Sequence, residues 1–231
     1  MIIWRVYWMI KGIIFDLDGT LLDTLEDIAD SANEALVASG FEPHPLNEYR
    51  FFVGNGVENL VKMMLPKDTQ QQVIDRVIDG FQQAYNRNYA NKCQPYPGIM
   101  SLIDELIKRG YKMGVCSNKP DAFTQVMVDL YFKNVDFVAV SGERKDLPRK
   151  PNAAMVHFIL DKMDLGTDEC LFIGDSDVDV KTANNAGLKS VGVEWGFRPI
   201  QELIDANVTY TVSHPKEILD LLENDLAKNV V

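Results

Sequence analysis

The sequence predicts an α/β protein: a parallel sheet flanked by helices, interrupted near its start by an all-helical insertion. Three observations carry this. Ile13-Ile14-Phe15 runs straight into Asp16-Leu17-Asp18-Gly19-Thr20, and an apolar run ended by turn-forming residues reads as a strand buried on both faces. From about residue 99 onward, short apolar runs alternate with helical stripes, the pattern of strands joined by right-handed crossovers. Between about 24 and 92 only helical spacing is visible.

The elements follow in order. Leu25, Ile28, Ala29, Ala32, Leu36 and Val37 recur at helix spacing and are closed by Ser39-Gly40. Pro43 and Pro45 break the chain. A stripe of Leu60, Val61, Met64 and Leu65 follows Gly54-Asn55-Gly56, and another runs from Val73 toward Tyr89. Pro95-Tyr96-Pro97-Gly98 marks the return to alternation. Helices are expected near 99–109, 120–131, 152–163, 178–186 and 215–224, and strands at 112–116, 137–140, 170–173, 190–193 and 209–212. This divides the chain into a core of 9–23 plus 93–231 and a helical cap of 24–92.

Composition narrows the functions. The 231 residues carry a net charge of −11, which argues against a nucleic-acid surface. An acidic protein can still bind an anion through a metal and a lysine. Cys93, Cys116 and Cys170 lack metal-ligand spacing and are expected to be unpaired buried thiols of a reducing, cytoplasmic compartment. The apolar start, with Trp4 and Trp8 around Arg5, is too short to span a bilayer and has no small-residue cleavage site. Met9 is the expected natural start, with residues 1–8 an extension. No membrane or nucleic-acid partner is expected, and the chain is expected to be a monomer or homodimer.

Ligands of open α/β sheets bind beyond the carboxyl ends of the strands. Four such ends or loops carry polar residues: Asp16 and Asp18; Ser117-Asn118; Arg149-Lys150-Pro151; and Asp175 through Asp179. Phosphoryl transfer would use all of them, because it rests on positioning and charge stabilisation. Asp16 and Asp175 could hold a hard cation such as Mg²⁺, Ser117 could donate to a phosphoryl oxygen, and Lys150 could neutralise charge. The amides of Asp18, Gly19 and Thr20 could form a phosphate nest. Taken singly, Ser117-Asn118 reads as a turn or cap, Lys150 as a surface lysine, and Asp177 and Asp179 as helix-start acids. Two carboxylates ending one buried strand repel each other and serve no stability purpose.

Asp16 to Thr20, Ser117-Asn118, Lys150-Pro151 and Gly174 to Asp179 resemble, in order, the four motifs of the haloacid dehalogenase superfamily. Val53-Gly54-Asn55-Gly56, Ser117 to Pro120 and Val193 to Arg198 look more narrowly like its phosphoglycolate phosphatases. The resemblance implies a Rossmann-like core of strand order 5-4-1-2-3 with a helical cap inserted after strand one. It also implies roles: Asp16 as the nucleophile and a Mg²⁺ ligand, Asp18 as the acid and base and a ligand through its carbonyl, and Lys150 on the phosphoryl group. Thr20, Ser117 and Asn118 would bind substrate, Asp175 would ligate the metal, and Asp179 would support the metal or Lys150. One departure is Ala153, where relatives usually carry a second proline; it should alter helix-start stiffness rather than chemistry.

The expected function is therefore Mg²⁺-dependent hydrolysis of a small phosphorylated metabolite through an aspartyl-phosphate, with 2-phosphoglycolate foremost. A sugar-phosphate phosphatase or phosphomutase is the alternative, and a phospho-acceptor signalling domain a further one that would need no inserted cap. Dehalogenation would leave Asp18 and Asp175 without a metal to serve. Phosphonate cleavage would need a desolvated cap lysine, and neither Lys62 nor Lys67 is marked as one. Specificity must come from the cap: Gly54, Asn55 and Gly56 could offer amides to a substrate carboxylate, while Arg50 and Lys62 read as solvated. Trp195 and Arg198 could line the mouth of the site or simply pack.

Overall fold

The computed structural model describes residues 10–227, with side chains through Glu223; the expectation about residues 1–8 lies outside them. The chain begins with β1 (Gly12–Phe15) and the two-residue β2 (Leu22–Asp23). Four helices follow: α1 (Leu25–Ala38), α2 (Leu46–Phe52), α3 (Gly56–Met64) and α4 (Gln71–Asn88). β3 (Gln94–Pro95) leads into α5 (Ile99–Lys108), β4 (Lys112–Pro120), α6 (Asp121–Tyr131), β5 (Phe137–Glu143) and α7 (Ala154–Met163). A 3₁₀ turn at Thr167–Glu169 precedes β6 (Cys170–Gly174), α8 (Asp177–Ala186), β7 (Lys189–Val193), α9 (Ile200–Asp205), β8 (Tyr210–Val212) and α10 (Lys216–Ala227).

Among the described residues six parallel strands form the sheet in the order β5-β4-β1-β6-β7-β8. The order implied by the resemblance has five strands; β8, which the sequence predicts at 209–212, adds an edge beyond β7. Side chains alternate across β1 as the pleat requires. Ile13 and Phe15 join the cluster beneath α5, α6 and α10, while Ile14 joins the opposite cluster with Met155, Ile159 and Met163 of α7. The sheet is thus covered on both faces, which is why β1 and β6 are apolar throughout rather than alternating.

The four-helix segment has its own apolar cluster, including Ile28, Leu36, Leu60, Val77 and Phe81. Small residues bring α1 and α4 together: a Cβ on Gly80 would lie 3.3 Å from that of Ala35. The chain leaves and re-enters the core side by side, since β2 and β3 pair antiparallel, Leu22 opposite Pro95 and Asp23 opposite Gln94. The buried Asp27 carboxylate fixes this junction by accepting the Lys92 and Cys93 amides at 2.8–3.0 Å. All three cysteines are free and buried.

Several elements lie outside the expectations for identifiable reasons. α2 buries only Tyr49 and α9 only Leu203, so neither has a stripe for periodicity to find. β2 and β3 are too short to alternate. β4 runs on to Pro120, which places Ser117 and Asn118 in an extended strand instead of a turn or cap. The 152 helix starts two residues late because Asn152 Oδ1 accepts the Ala154 amide at 2.9 Å and holds the preceding turn. Among the described residues no helix is long and apolar enough to cross a membrane.

Candidate active site

The carboxyl ends of β1, β4 and β6 and the loop before α7 meet at one cavity of about 770 Å³, part of it open to solvent. Asp16, Asp18, Ser117, Lys150 and Asp175 line it. Carboxylate oxygens of Asp16, Asp175 and Asp179 lie within 4.8 Å of one another, all three residues buried. Lys150 Nζ sits 2.7 Å from Asp179 Oδ1 and 2.8 Å from Asp16 Oδ1.

Charge in this cluster is out of balance. Burial is the main force raising the Asp16 carboxyl to about 7; Asp179 and Asp18 add repulsion, and Lys150 opposes. The Asp175 carboxyl moves the same way, through burial first and then Asp179 and Asp16. Burial pulls the Lys150 ammonium toward neutrality, but Asp16 and Asp179 outweigh it and keep it charged. Despite its nearness to Lys150, Asp16 Oδ1 is buried with no donor aligned on it. A pocket that gathers three buried carboxylates around one ammonium fits a hard divalent cation bound through oxygen.

The backbone permits this crowding only with glycine nearby. Gly19 has φ +87°, and a Cβ there would lie 2.3 Å from Asp175 Oδ2; one on Gly196 would lie 2.2 Å from Asp175 Cβ. Asp175 Oδ2 also accepts the Phe197 amide at 2.7 Å, which aims the other oxygen elsewhere. Asp179 divides its two oxygens between the start of α8 and Lys150. Its Oδ2 accepts from Ser176 N and Oγ at 3.1 and 2.6 Å, a capping box at the start of α8, while Oδ1 holds Lys150. Asp177 pairs with Lys181 away from the cluster.

Other expectations need correction. Thr20 is fully buried and does not line the cavity; its carbonyl accepts Trp195 Nε1 at 3.1 Å. The phosphate nest is mostly consumed by the turn itself, since Gly19 N–H donates to Leu22 O at 2.9 Å and Thr20 N–H to Leu17 O at 3.4 Å. Asn118 is a bracket: its Nδ2 donates to Gly54 O and Lys150 O, each at 3.0 Å, and its Oδ1 accepts Lys150 N–H at 2.8 Å. Every hydrogen-bonding site of that amide but one lone pair is therefore spent on protein. Ser117 Oγ accepts the Lys119 amide at 3.2 Å and can still donate its hydroxyl proton. Gly54 and Gly56 border the cavity, but Asn55 does not.

Neither cation expected of the helical segment reaches the cavity. Arg50 donates to the Phe197 and Gly196 carbonyls, and Lys62 pairs with Glu58 at the surface. Arg198, which lines the cavity, donates to the Phe51 and Val53 carbonyls and so ties α2 to the core. The residue that sequence reasoning passed over is Lys119. Its buried ammonium lies 3.0 and 3.1 Å from the two Asp18 oxygens and 4.7 Å from the centre of the Tyr85 ring. Strand periodicity could have found it, because residues two apart on a strand share a face and Ser117 is already turned to the site.

Known proteins agree with this architecture. Residues 13–193 match the haloacid dehalogenase-like hydrolase family. The chain is 33% identical over 221 residues to a phosphoglycolate phosphatase of Cereibacter sphaeroides, covering 94% of this chain and 99% of that protein. It is 28% identical to a phosphoglycolate phosphatase of Vibrio parahaemolyticus over 219 residues, 92% and 96% of the two chains. A crystal structure from Lactobacillus delbrueckii subsp. bulgaricus superposes with a TM-score of 0.87 at 29% identity, covering 93% of this chain and 98% of that one. The protein belongs to the haloacid dehalogenase-like hydrolase family.

Proposed function

We propose that this hydrolase cleaves phosphate monoesters through an aspartyl-phosphate on Asp16, with 2-phosphoglycolate as substrate. The observation that carries the reading is the convergence of Asp16, Lys150, Asp175 and Asp179 on one buried cluster at the cavity. Family membership supports hydrolysis, and the names of the relatives support the substrate.

In this reading an Asp16 oxygen attacks phosphorus and the bond to the ester oxygen breaks. The Asp18 carboxyl gives its proton to the departing alkoxide. Asp18, now a carboxylate, takes a proton from water as that water attacks phosphorus; the Asp16–phosphoryl bond breaks and free phosphate leaves. Lys150 and the Ser117 hydroxyl hold phosphoryl oxygens throughout, and Asp179 keeps Lys150 in place. Mg²⁺, held by Asp16, Asp175 and the Asp18 carbonyl, would supply charge neutralisation at the phosphoryl oxygens. Residues 24–92 serve as a cap over the cavity, excluding bulk water when closed.

Phosphate release from 2-phosphoglycolate, glycerol phosphate, glucose phosphates and nucleotides with Mg²⁺ present tests this. Preference for 2-phosphoglycolate is expected. Equal rates on all would remove that substrate and leave the phosphatase reading; no release from any would remove both.

A further inference from the structure

We infer that Lys119 is the specificity-determining residue of this site, selecting phosphate esters that carry an acid group one carbon from the ester oxygen. The inference rests on the phosphatase reading above and deepens it.

Charge in the cavity beyond the phosphoryl site is scarce. The helical segment lines it with Ile28, Val57, Leu60, Phe81, Gln82 and Tyr85, none of them charged. Lys150, between Asp16 and Asp179, is taken up at the phosphoryl site in the reading above, and Arg198 is turned to backbone carbonyls. Among the described lining residues that leaves Lys119 as the cation able to meet an anionic leaving group.

Its position fits a particular kind of anion. The ester oxygen must approach the Asp18 carboxyl to receive a proton, and Lys119 is hydrogen-bonded to both oxygens of that same carboxyl. A carboxylate one carbon from the ester oxygen therefore arrives beside the ammonium. A neutral or distant group reaches only the uncharged wall. Lys119 has three N–H donors; besides Asp18, its neighbour is Tyr85, which offers a neutral hydroxyl and a ring face. A carboxylate is the stronger acceptor and would take that donor over.

The test compares 2-phosphoglycolate with 2-hydroxyethyl phosphate, which replaces the carboxylate by a neutral CH₂OH. Wild-type enzyme should favour the acid in kcat/KM by about 10- to 100-fold, the range of one charged hydrogen bond, and chiefly through KM. Lys119→Met should bring the ratio close to one, and Lys119→Arg should restore part of it. Any damage from releasing Asp18 lowers both substrates and cancels in the ratio. An unchanged ratio with both rates reduced would overturn the inference, leaving Lys119 as a support for Asp18. On wild-type enzyme alone, glycolate should compete and ethylene glycol should not; equal inhibition by the two would also overturn it. Turnover of neither ester, with release from glycerol phosphate, glucose phosphates or nucleotides, would overturn this inference and leave the phosphatase reading; release from none of them would defeat both.

Discussion

Lys150 Nζ donates to Asp179 Oδ1 at 2.7 Å with both side chains 2% exposed. The pair joins the loop before α7 to the first turn of α8. Removing one member of such a pair leaves a buried charge uncompensated. Asp179→Ala should therefore cost about 3 kcal/mol or more in urea unfolding without metal, although it also relieves repulsion on Asp16 and Asp175. Asp179→Asn keeps an acceptor for the Ser176 amide and should be milder by about 1 kcal/mol, the worth of a helix cap. An alanine variant as stable as wild type would show that Asp16 alone satisfies the ammonium.

Asp16→Asn separates chemistry from folding. An amide cannot serve as the nucleophile, so kcat should fall by about 10⁴-fold or more. Stability without metal should hold or rise, because the substitution removes a carboxylate that burial and two acidic neighbours disfavour. Steady-state phosphate release and urea unfolding on the same preparation check both halves. Retained turnover would remove Asp16 as the nucleophile.

Much of this site could be read from the sequence because its residues end buried strands. Asp16 and Asp175 follow apolar runs whose period and length are distinctive, so their common edge follows from parallel topology. Lys150 lies on a loop, and only its ion pairs with Asp16 and Asp179 separate it from a surface lysine. Asn118 lines the cavity with its amide spent on protein, and Thr20 lies in the interior, for a related reason: sequence gives residue type but not which backbone groups compete for it. The Gly54 and Lys150 carbonyls take Asn118, and the interior takes Thr20. Short elements such as α2 and α9 hid because one buried residue each makes no pattern.

Metal should stabilise the protein before any substrate is added. Mg²⁺ at a hundred times its Kd contributes about 2.7 kcal/mol, so the Tm should rise with Mg²⁺ and fall back with chelator. Asp175→Asn should lose most of that rise, since it removes one of the three clustered carboxylates. Ca²⁺ should also raise the Tm yet inhibit turnover, because it accepts more ligands at longer and more variable distances. Full activity in Ca²⁺ would contradict a site that demands tight octahedral geometry.

The raised Asp16 carboxyl sets a pH dependence with a definite sign. Its ordinary value is 3.8, and in the folded chain it is about 7. Between those values the folded state holds a proton that the unfolded chain has lost. Stability from this group is therefore full below pH 3.8 and is lost as pH rises through about 7. Asp175 is shifted in the same direction. Metal-free protein should accordingly lose stability from pH 5 to pH 8, and Asp16→Asn should show a shallower decline. Mg²⁺ binds the ionised carboxylates, so its stabilisation should grow across the same window and offset the loss. Urea unfolding at four pH values, with chelator and with Mg²⁺, measures both trends. A metal-free wild type whose profile parallels that of Asp16→Asn would mean that Asp16 ionises at an ordinary pH despite its burial.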